Sequence, residues 1–295
     1  MVDKLTGEAV KVLRKAVGKL PKVDQELKGG MMNEAFIVSG GRKKGQRYVL
    51  YVPTAQANEM VDRKLERKIH QIAYKLGISN KNVYFNVKTG FKVNEFIEGY
   101  SINAKSEPED FKNVAKLLLT YHSSKKMSGV YYDPLGRLEN YRKEAETHTK
   151  EFDKEFYELW DLVMSNKEYL LSQRRTLAHN DAQRSNIVRR ASDDKYLLID
   201  YEFAADNDPL YDIATFGNND VQDGVKVLEE YEKLTVVTDG LKRYALWRID
   251  VSLQWYLVAI IKHYRGEGAV HGFNFLDVAH NFLLNALEAR KLLED

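Results

Sequence analysis

His179, Asp181, Gln183 and Asn186 cluster in the segment LAHNDAQRSNIV (177–188), and Asp200 ends the next apolar run, YLLID (196–200). A carboxylate held in a turn can accept a proton from a hydroxyl. The side-chain oxygens of Asn186 and Asp200 can hold Mg²⁺, which prefers oxygen ligands, takes few from protein, and draws the rest from phosphates and water. That is the set of parts phosphoryl transfer needs: a positioned nucleophile and neutralised phosphate charge. The same letters in a polar loop with Asx turns would require no chemistry. An aspartate at the end of the following strand favours the functional reading. A strand-loop-strand hairpin would bring that strand end back beside the loop.

The elements that must position these residues follow from periodicity and turn signals. Leu5, Ala9, Val12, Leu13, Ala16, Val17 and Leu20 give an amphipathic helix over 5–20. Phe36 to Val38 and Tyr48 to Val52 read as strands joined by a Gly- and Lys-rich turn, and a helix over about 57–76 stops at Gly77. VYFNV and GFKVNEFI read as a further hairpin. Residues 108–126 and 137–173 are helical, two short strands flank the polar loop, and almost everything from 208 onward is helix. The expected architecture is α+β, with a small β-rich lobe (1–98) before a larger, mainly helical lobe (99–295).

Bulk composition narrows the class. Lys plus Arg (45) nearly cancels Asp plus Glu (43), which gives no electrostatic case for nucleic acid. There are no cysteines, which excludes disulfides and thiolate metal sites and fits a reducing compartment. The N-terminal stretch carries charges throughout, unlike a secretory signal. The most apolar segment, YALWRIDVSLQWYLVAIIKHY, contains Arg248 and Asp250 and reads as a buried helix rather than a membrane span. A cytoplasmic protein is expected.

HNDAQRSNIV followed by LLIDYEFAADNDPLYDIATF resembles the choline/ethanolamine kinase family, within the wider aminoglycoside-phosphotransferase and protein-kinase-like superfamily. His179, Asn180, Asp181, Gln183 and Asn186 match the family's H-N-D-x-Q-x-x-N loop. Asp200, Tyr201, Glu202, Phe203, Asn207, Asp212 and Ile213 match its second motif. GGMMNEAF is similar to the nucleotide-covering loop, DRKLERKIHQIAYKLGI to the helix with an ion-pairing glutamate, and NEFIEGYS to the hinge that meets adenine.

The resemblance implies a protein-kinase-like two-lobe fold, ATP and Mg²⁺ as cofactors, nucleotide between the lobes, and choline or a related amino alcohol as acceptor. It makes Asp181 the catalytic base, with Gln183 beside it. Asn186 and Asp200 become the metal ligands, assisted by Glu202. Asn33, Glu66, Glu95, Phe96 and Ile97 fall to the nucleotide, and His179 and Asp212 to bracing the loop. Tyr201, Trp247 and Trp255 fall to the acceptor, whose cationic head would be held by aromatic faces. Among other late aromatics, Phe273 and Phe275 are further candidates. Asp212 and Asp277 also read as helix N-terminal carboxylates, and Arg184 reads as a phosphate contact or a solvated side chain.

Two departures stand out. The family carries Arg or Lys where Tyr51 stands, and tyrosine supplies no positive charge. Either Arg47, Arg63 or Lys64 substitutes from another backbone position, or the chain is a degenerate nucleotide-binding pseudokinase. Trp255 matches one of the family's two late tryptophans, and Ser252 then occupies the place of the other, which leaves ethanolamine, thiamine, and aminoglycoside or sugar hydroxyls as alternative acceptors. A protein kinase is disfavoured, because no activation segment separates Asp200 from Asn207–Asp212. A non-catalytic helical module would make the set 181/186/200 coincidental.

Overall fold

The computed structural model describes residues 5–18, 21–27, 33–41, 45–102, 107–268 and 274–294. The chain divides into two compact units: Met1–Ile102 with Ser185–Ala204, and Asn103–Arg184 with Ala205–Asp295. The first unit therefore takes in the stretch just after the polar loop, which a single cut at 98/99 would assign to the second.

The first unit opens with helix α1 (Gly7–Val17), whose Ala9 N–H is capped by the Thr6 hydroxyl at 3.3 Å. It is shorter than 5–20; Leu20 lies outside the described residues. Its buried stripe of Ala9, Val12, Leu13 and Val17 packs on Phe36, Val38, Tyr48, Leu50, Phe91 and Val93. Those residues belong to a five-stranded antiparallel sheet of strands β1 (Lys22–Leu27), β2 (Asn33–Ser39), β3 (Arg47–Pro53), β4 (Asn82–Phe85) and β5 (Lys92–Glu95), in the order β1-β2-β3-β5-β4. Strand β1 was not expected. It is an edge strand with Val23 as its buried residue, so it lacks the apolar alternation that reveals a half-buried strand.

The single helix expected over 57–76 is two: α2 (Ala55–Met60) and α3 (Arg63–Lys75). The break falls where Asp62 turns its carboxylate onto the backbone N–H groups of Lys64 (2.9 Å) and Leu65 (3.0 Å) and starts a second helix as its N-cap. Gly77 follows α3 at φ +72°, the left-handed conformation a helix stop uses. A second sheet, β6 (Gly99–Ser101), β8 (Ile187–Arg190) and β9 (Tyr196–Leu198), completes this unit in the order β6-β8-β9.

The second unit is helical apart from the antiparallel pair β7 (Thr176–Ala178) and β10 (Ala205–Asn207). Its helices are α4 (Pro108–His122), α5 (Pro134–Ala145), α6 (Lys154–Ser165), α7 (Lys167–Leu171), α8 (Leu210–Phe216), α9 (Val221–Glu232), α10 (Gly240–Tyr264) and α11 (Phe275–Lys291). Helix α10 is buried nearly all round. Its Arg248, fully buried, donates to Ala214 O, Asn218 Oδ1 (3.0 Å) and Ser252 Oγ (2.7 Å). Among the described residues no helix is long and apolar enough to cross a membrane.

His70 on the inner face of α3 offers a test. Its ring stacks on Tyr201 (5.2 Å between centroids), and its Nε2 lies 3.0 Å from Asn80 O, so the neutral tautomer donates there. Burial pushes its pKa from 6.5 down to about 4, and Lys92 acts in the same direction. The folded state therefore holds the neutral ring. Stability tied to it is complete above about pH 6.5 and declines as pH falls toward about 4, by about 3 kcal/mol. Urea unfolding at pH 7.5 and pH 4 should show the wild type losing about that much more than His70→Gln; equal losses would contradict the assignment.

Candidate active site

The polar loop does not close the hairpin expected for it. Strand β7, before the loop, pairs with β10; strand β8, after it, pairs with β9 and β6. The hairpin is the later one, β8–β9. It sets Asn186 beside the residues leading into Asp200, because the Ile199 N–H donates to Asn186 O at 3.0 Å.

In the second unit, buried polar groups pin the first part of the loop. The Asp212 carboxylate, fully buried on α8, accepts the backbone N–H of His179 (2.8 Å) and of Asn180 (2.7 Å), and lies 3.0 Å from His122 Nε2. His122 Nδ1 lies 2.9 Å from the Tyr231 hydroxyl. The Asn180 side-chain oxygen Oδ1 accepts from Asn207 Nδ2 (2.9 Å), and the Ala182 N–H donates to Thr215 Oγ1 (3.0 Å). Asp212 thus serves the loop's amides rather than those of its own helix. His179 is fully buried and contributes its backbone to this bracing. Asp181 is half-buried between the pinned positions and accepts from Gln183 Nε2 at 3.1 Å. Arg184 is neither solvated nor free for phosphate: it is 3% exposed and ion-paired with Asp223.

In the first unit a buried ion cluster gathers around Lys92. Its ammonium lies 2.6 Å from Glu66 Oε1, 3.2 Å from Asp200 Oδ1 and 3.3 Å from Glu202 Oε1. Arg63 Nη1 donates to Glu66 Oε2 and Glu202 Oε1, both at 2.8 Å, and Asn33 Nδ2 donates to Glu202 Oε1 at 2.5 Å. The Lys92 and Glu66 side chains are each 2% exposed, whereas that of Asp200 is 30% exposed.

Burial pushes the Asp200 carboxyl up to about 6, opposed by Lys92 and reinforced by Glu202 and Glu66. Burial would raise Glu202 as well, but Lys92, Asn33 and Arg63 outweigh it and hold the group below its ordinary value. Burial acts to lower Lys92, yet Asp200, Glu66 and Glu202 raise it well above the usual lysine value, so it is cationic.

One oxygen from each of Glu66, Asp200 and Glu202 lies within 4.8 Å of the others. Three carboxylates against two cations, Lys92 and Arg63, leave a net charge of −1 with hard oxygen donors, which fits a hydrated divalent ion such as Mg²⁺ at the exposed Asp200 edge. Asp200 has φ +66° and Asn180 φ +62°, left-handed conformations that non-glycine residues hold only where their surroundings enforce them.

The other expected residues are placed as follows. Glu95 O accepts from Asn80 Nδ2 at 2.6 Å, the Phe96 N–H donates to Arg47 O, and the Arg47 guanidinium lies 4.3 Å over the Phe96 ring. Ile97 is half-buried just beyond β5. Of the covering loop, Gly29 to Met32 lie outside the described residues, as does Phe273. Tyr201 is buried, its ring on His70 and its hydroxyl donating to Leu198 O (3.1 Å). Trp247 is 1% exposed and donates its ring N–H to Asp208 (2.9 Å), so it offers no open face to an acceptor. Trp255 is half-buried and stacks on Phe282 at 5.8 Å. Ser252 is fully buried and holds Arg248. Asp277 is exposed in the first turn of α11.

Two residues escaped the sequence reading. Lys92 sits in a strand noticed only as half of a hairpin; a lysine inside a β-run flanked by apolar residues was the available signal. Arg137 on α5 lies over Tyr132 (5.3 Å) and Tyr141 (5.5 Å) and donates to the Tyr141 hydroxyl (2.9 Å). Burial acts to lower its pKa, but Tyr132, Tyr141, Tyr211 and Asp181 raise it, so this half-buried guanidinium is in electrostatic reach of Asp181. Its sequence context, PLGRLENYRKEA, is an ordinary helix and gave no cue.

The choline/ethanolamine kinase family profile matches residues 25–223, more than half of the chain. A curated relative, Protein LicA of Haemophilus influenzae, is 25% identical over 286 residues, covering 90% of this chain and 79% of its own. The crystal structure of the choline kinase LicA from Streptococcus pneumoniae superposes with a TM-score of 0.75 at 22% identity, covering 98% of this chain and all of that one. An ethanolamine kinase of Plasmodium vivax gives 0.70 at 19% identity, covering 95% of this chain and 87% of its own. These likenesses carry the fold: a β-rich N-terminal part and a larger helical part of kinase-like architecture, as expected.

The bracing by Asp212 is directly testable. Asp212→Ala strips a charged acceptor from two buried N–H groups and from His122, each loss costing about 1–3 kcal/mol. Thermal unfolding should show a loss of several kcal/mol, with Asp212→Asn intermediate. Near-wild-type stability in the alanine variant would refute the bracing.

Proposed function

The chain belongs to the choline/ethanolamine kinase family, and we propose on that footing that it transfers the γ-phosphate of ATP to the hydroxyl of choline or a related amino alcohol. Asp181 is the catalytic base: it orients the acceptor hydroxyl and takes its proton, while Gln183, hydrogen-bonded to it, fixes the carboxylate's rotation. The observation that carries this reading is the contrast within the loop. The backbone at His179, Asn180 and Ala182 is bound to buried groups, while the Asp181 carboxylate between them stays half-exposed. A base held this way approaches its substrate without reorganising.

Asn186 and Asp200, with Glu202 assisting, would hold Mg²⁺. When bound, that ion neutralises charge on the transferring phosphoryl group. Glu66 positions the cationic part of the cluster, and the segment from Glu95 to Ile97 receives the adenine. Asn33, already bound to Glu202, ties the end of the covering loop to the acidic cluster.

The acceptor is proposed in two readings. Choline leads by family. Trp247, closed off in the core, presents no open ring to a quaternary ammonium, which favours ethanolamine or another smaller acceptor as the second reading.

Coupled ADP-release assays with Mg²⁺-ATP and a panel of choline, ethanolamine, thiamine and an aminoglycoside should show stimulation by an amino alcohol. Asp181→Asn should lower kcat by about 10²-fold or more with nucleotide affinity unchanged. ATP binding with no acceptor stimulating turnover would instead support the pseudokinase reading. Asp200→Ala should abolish the Mg²⁺ dependence of nucleotide binding, and unchanged dependence would reject Asp200 as a ligand.

A further inference from the structure

Burial holds the Tyr51 phenol far above its usual pKa, so the position where the family carries Arg or Lys is neutral here. We propose that Lys92 supplies the missing cation for the nucleotide phosphates, the role having moved across one strand pair from β3 to β5. This inference rests on the nucleotide-binding reading above.

Tyr51 and Lys92 are direct partners in the antiparallel β3–β5 register. Directly opposed residues project from the same face of a sheet with Cβ atoms about 5 Å apart. A lysine at 92 therefore reaches the space that one at 51 would reach. It has already captured the helix glutamate: Nζ lies 2.6 Å from Glu66 on α3 and 3.2 Å from Asp200. The Lys92 ammonium lies 4.6 Å from the Tyr51 ring centroid, a cation–π contact that supports the charge without adding one.

An ammonium has three donors. Those of Lys92 face Glu66, Asp200 and Glu202, whose side chains are 2%, 30% and 3% exposed. Asp200 is thus the acceptor that a phosphate oxygen from solution can displace or join, while Glu66 and Glu202 keep the ammonium in place. The three substitutes that sequence suggested are otherwise engaged or turned away. Arg63 bridges Glu66 and Glu202, Arg47 pairs with Glu98, and Lys64 lies on the exposed side of α3.

The test compares Mg²⁺-ATP with adenosine, both by calorimetry on the full chain, because the ratio of their affinities isolates the phosphate contribution. Lys92→Met should weaken ATP on the order of tenfold or more while adenosine changes less than about twofold. The double variant Tyr51→Lys/Lys92→Met, which returns the cation to the neighbouring strand, should recover most of the ATP preference. Equal losses for both ligands, or an unchanged ATP preference, would overturn the proposal. If Lys92→Met does not fold, the folded double variant decides: recovered preference supports the transfer, and absent preference refutes it. A wild type that prefers ATP over adenosine yet phosphorylates no amino alcohol would defeat the proposed acceptor reaction and leave the role of Lys92 standing.

Discussion

An ammonium buried among three carboxylates organises the first unit. Lys92, Glu66, Asp200 and Glu202 come from a strand, a helix and the segment after a hairpin, and Arg63 binds two of the acids from a second direction. Desolvating such charges is expensive, so any one of them left unpaired would be strongly destabilising. The strands β3 and β5, helix α3 and the segment after β9 are therefore tied to one register. A slip of one residue in β5 would turn Lys92 to the opposite face of the sheet. The residual negative charge and the exposed edge of Asp200 suit the divalent ion proposed for this site.

The second unit solves a related problem by different means. Buried neutral and acidic acceptors bind the loop's backbone, with Asp212 serving two amides, while the Asn180 side chain is held by Asn207 and Arg184 pairs with Asp223. Left-handed backbone at Asn180 and at Asp200 costs about 1–2 kcal/mol at an ordinary L-residue. Short polar side chains reduce that cost, which is a physical reason for Asn and Asp to stand at these two positions.

Much of this was legible before any coordinates. The resemblance of HNDAQRSNIV and LLIDYEFAADNDPLYDIATF to the family's two motifs pointed to the family, and the apolar periodicity to the order of most elements, because those signals are local. What stayed hidden depended on pairing. That β8 rather than β7 joins β9 is a choice of partner, which period-2 alternation does not encode. Strand β1 was missed because its residues are mostly solvent-facing, and the break at Asp62 because a capping aspartate inside a helical run looks like a surface charge. Arg47, Arg63 and Lys64 are near the substituted position along the chain, whereas Lys92 reaches the cluster across a strand pair whose register no single segment reveals. Trp247 and Ser252 show the converse: one a candidate to complete the acceptor cage, the other matched to it by position, they bind Asp208 and Arg248 in the helical core instead.

The assignment of metal and triphosphate to this buried cluster would be tested most directly by a crystal structure of the wild-type chain with Mn²⁺ and a non-hydrolysable ATP analogue. It predicts an anomalous manganese peak bonded to Asp200 and Asn186, with the Lys92 ammonium within hydrogen-bonding distance of a phosphate oxygen and still bound to Glu66. A triphosphate held by other cations, with Lys92 shielded behind its carboxylates and manganese bound elsewhere, would contradict it.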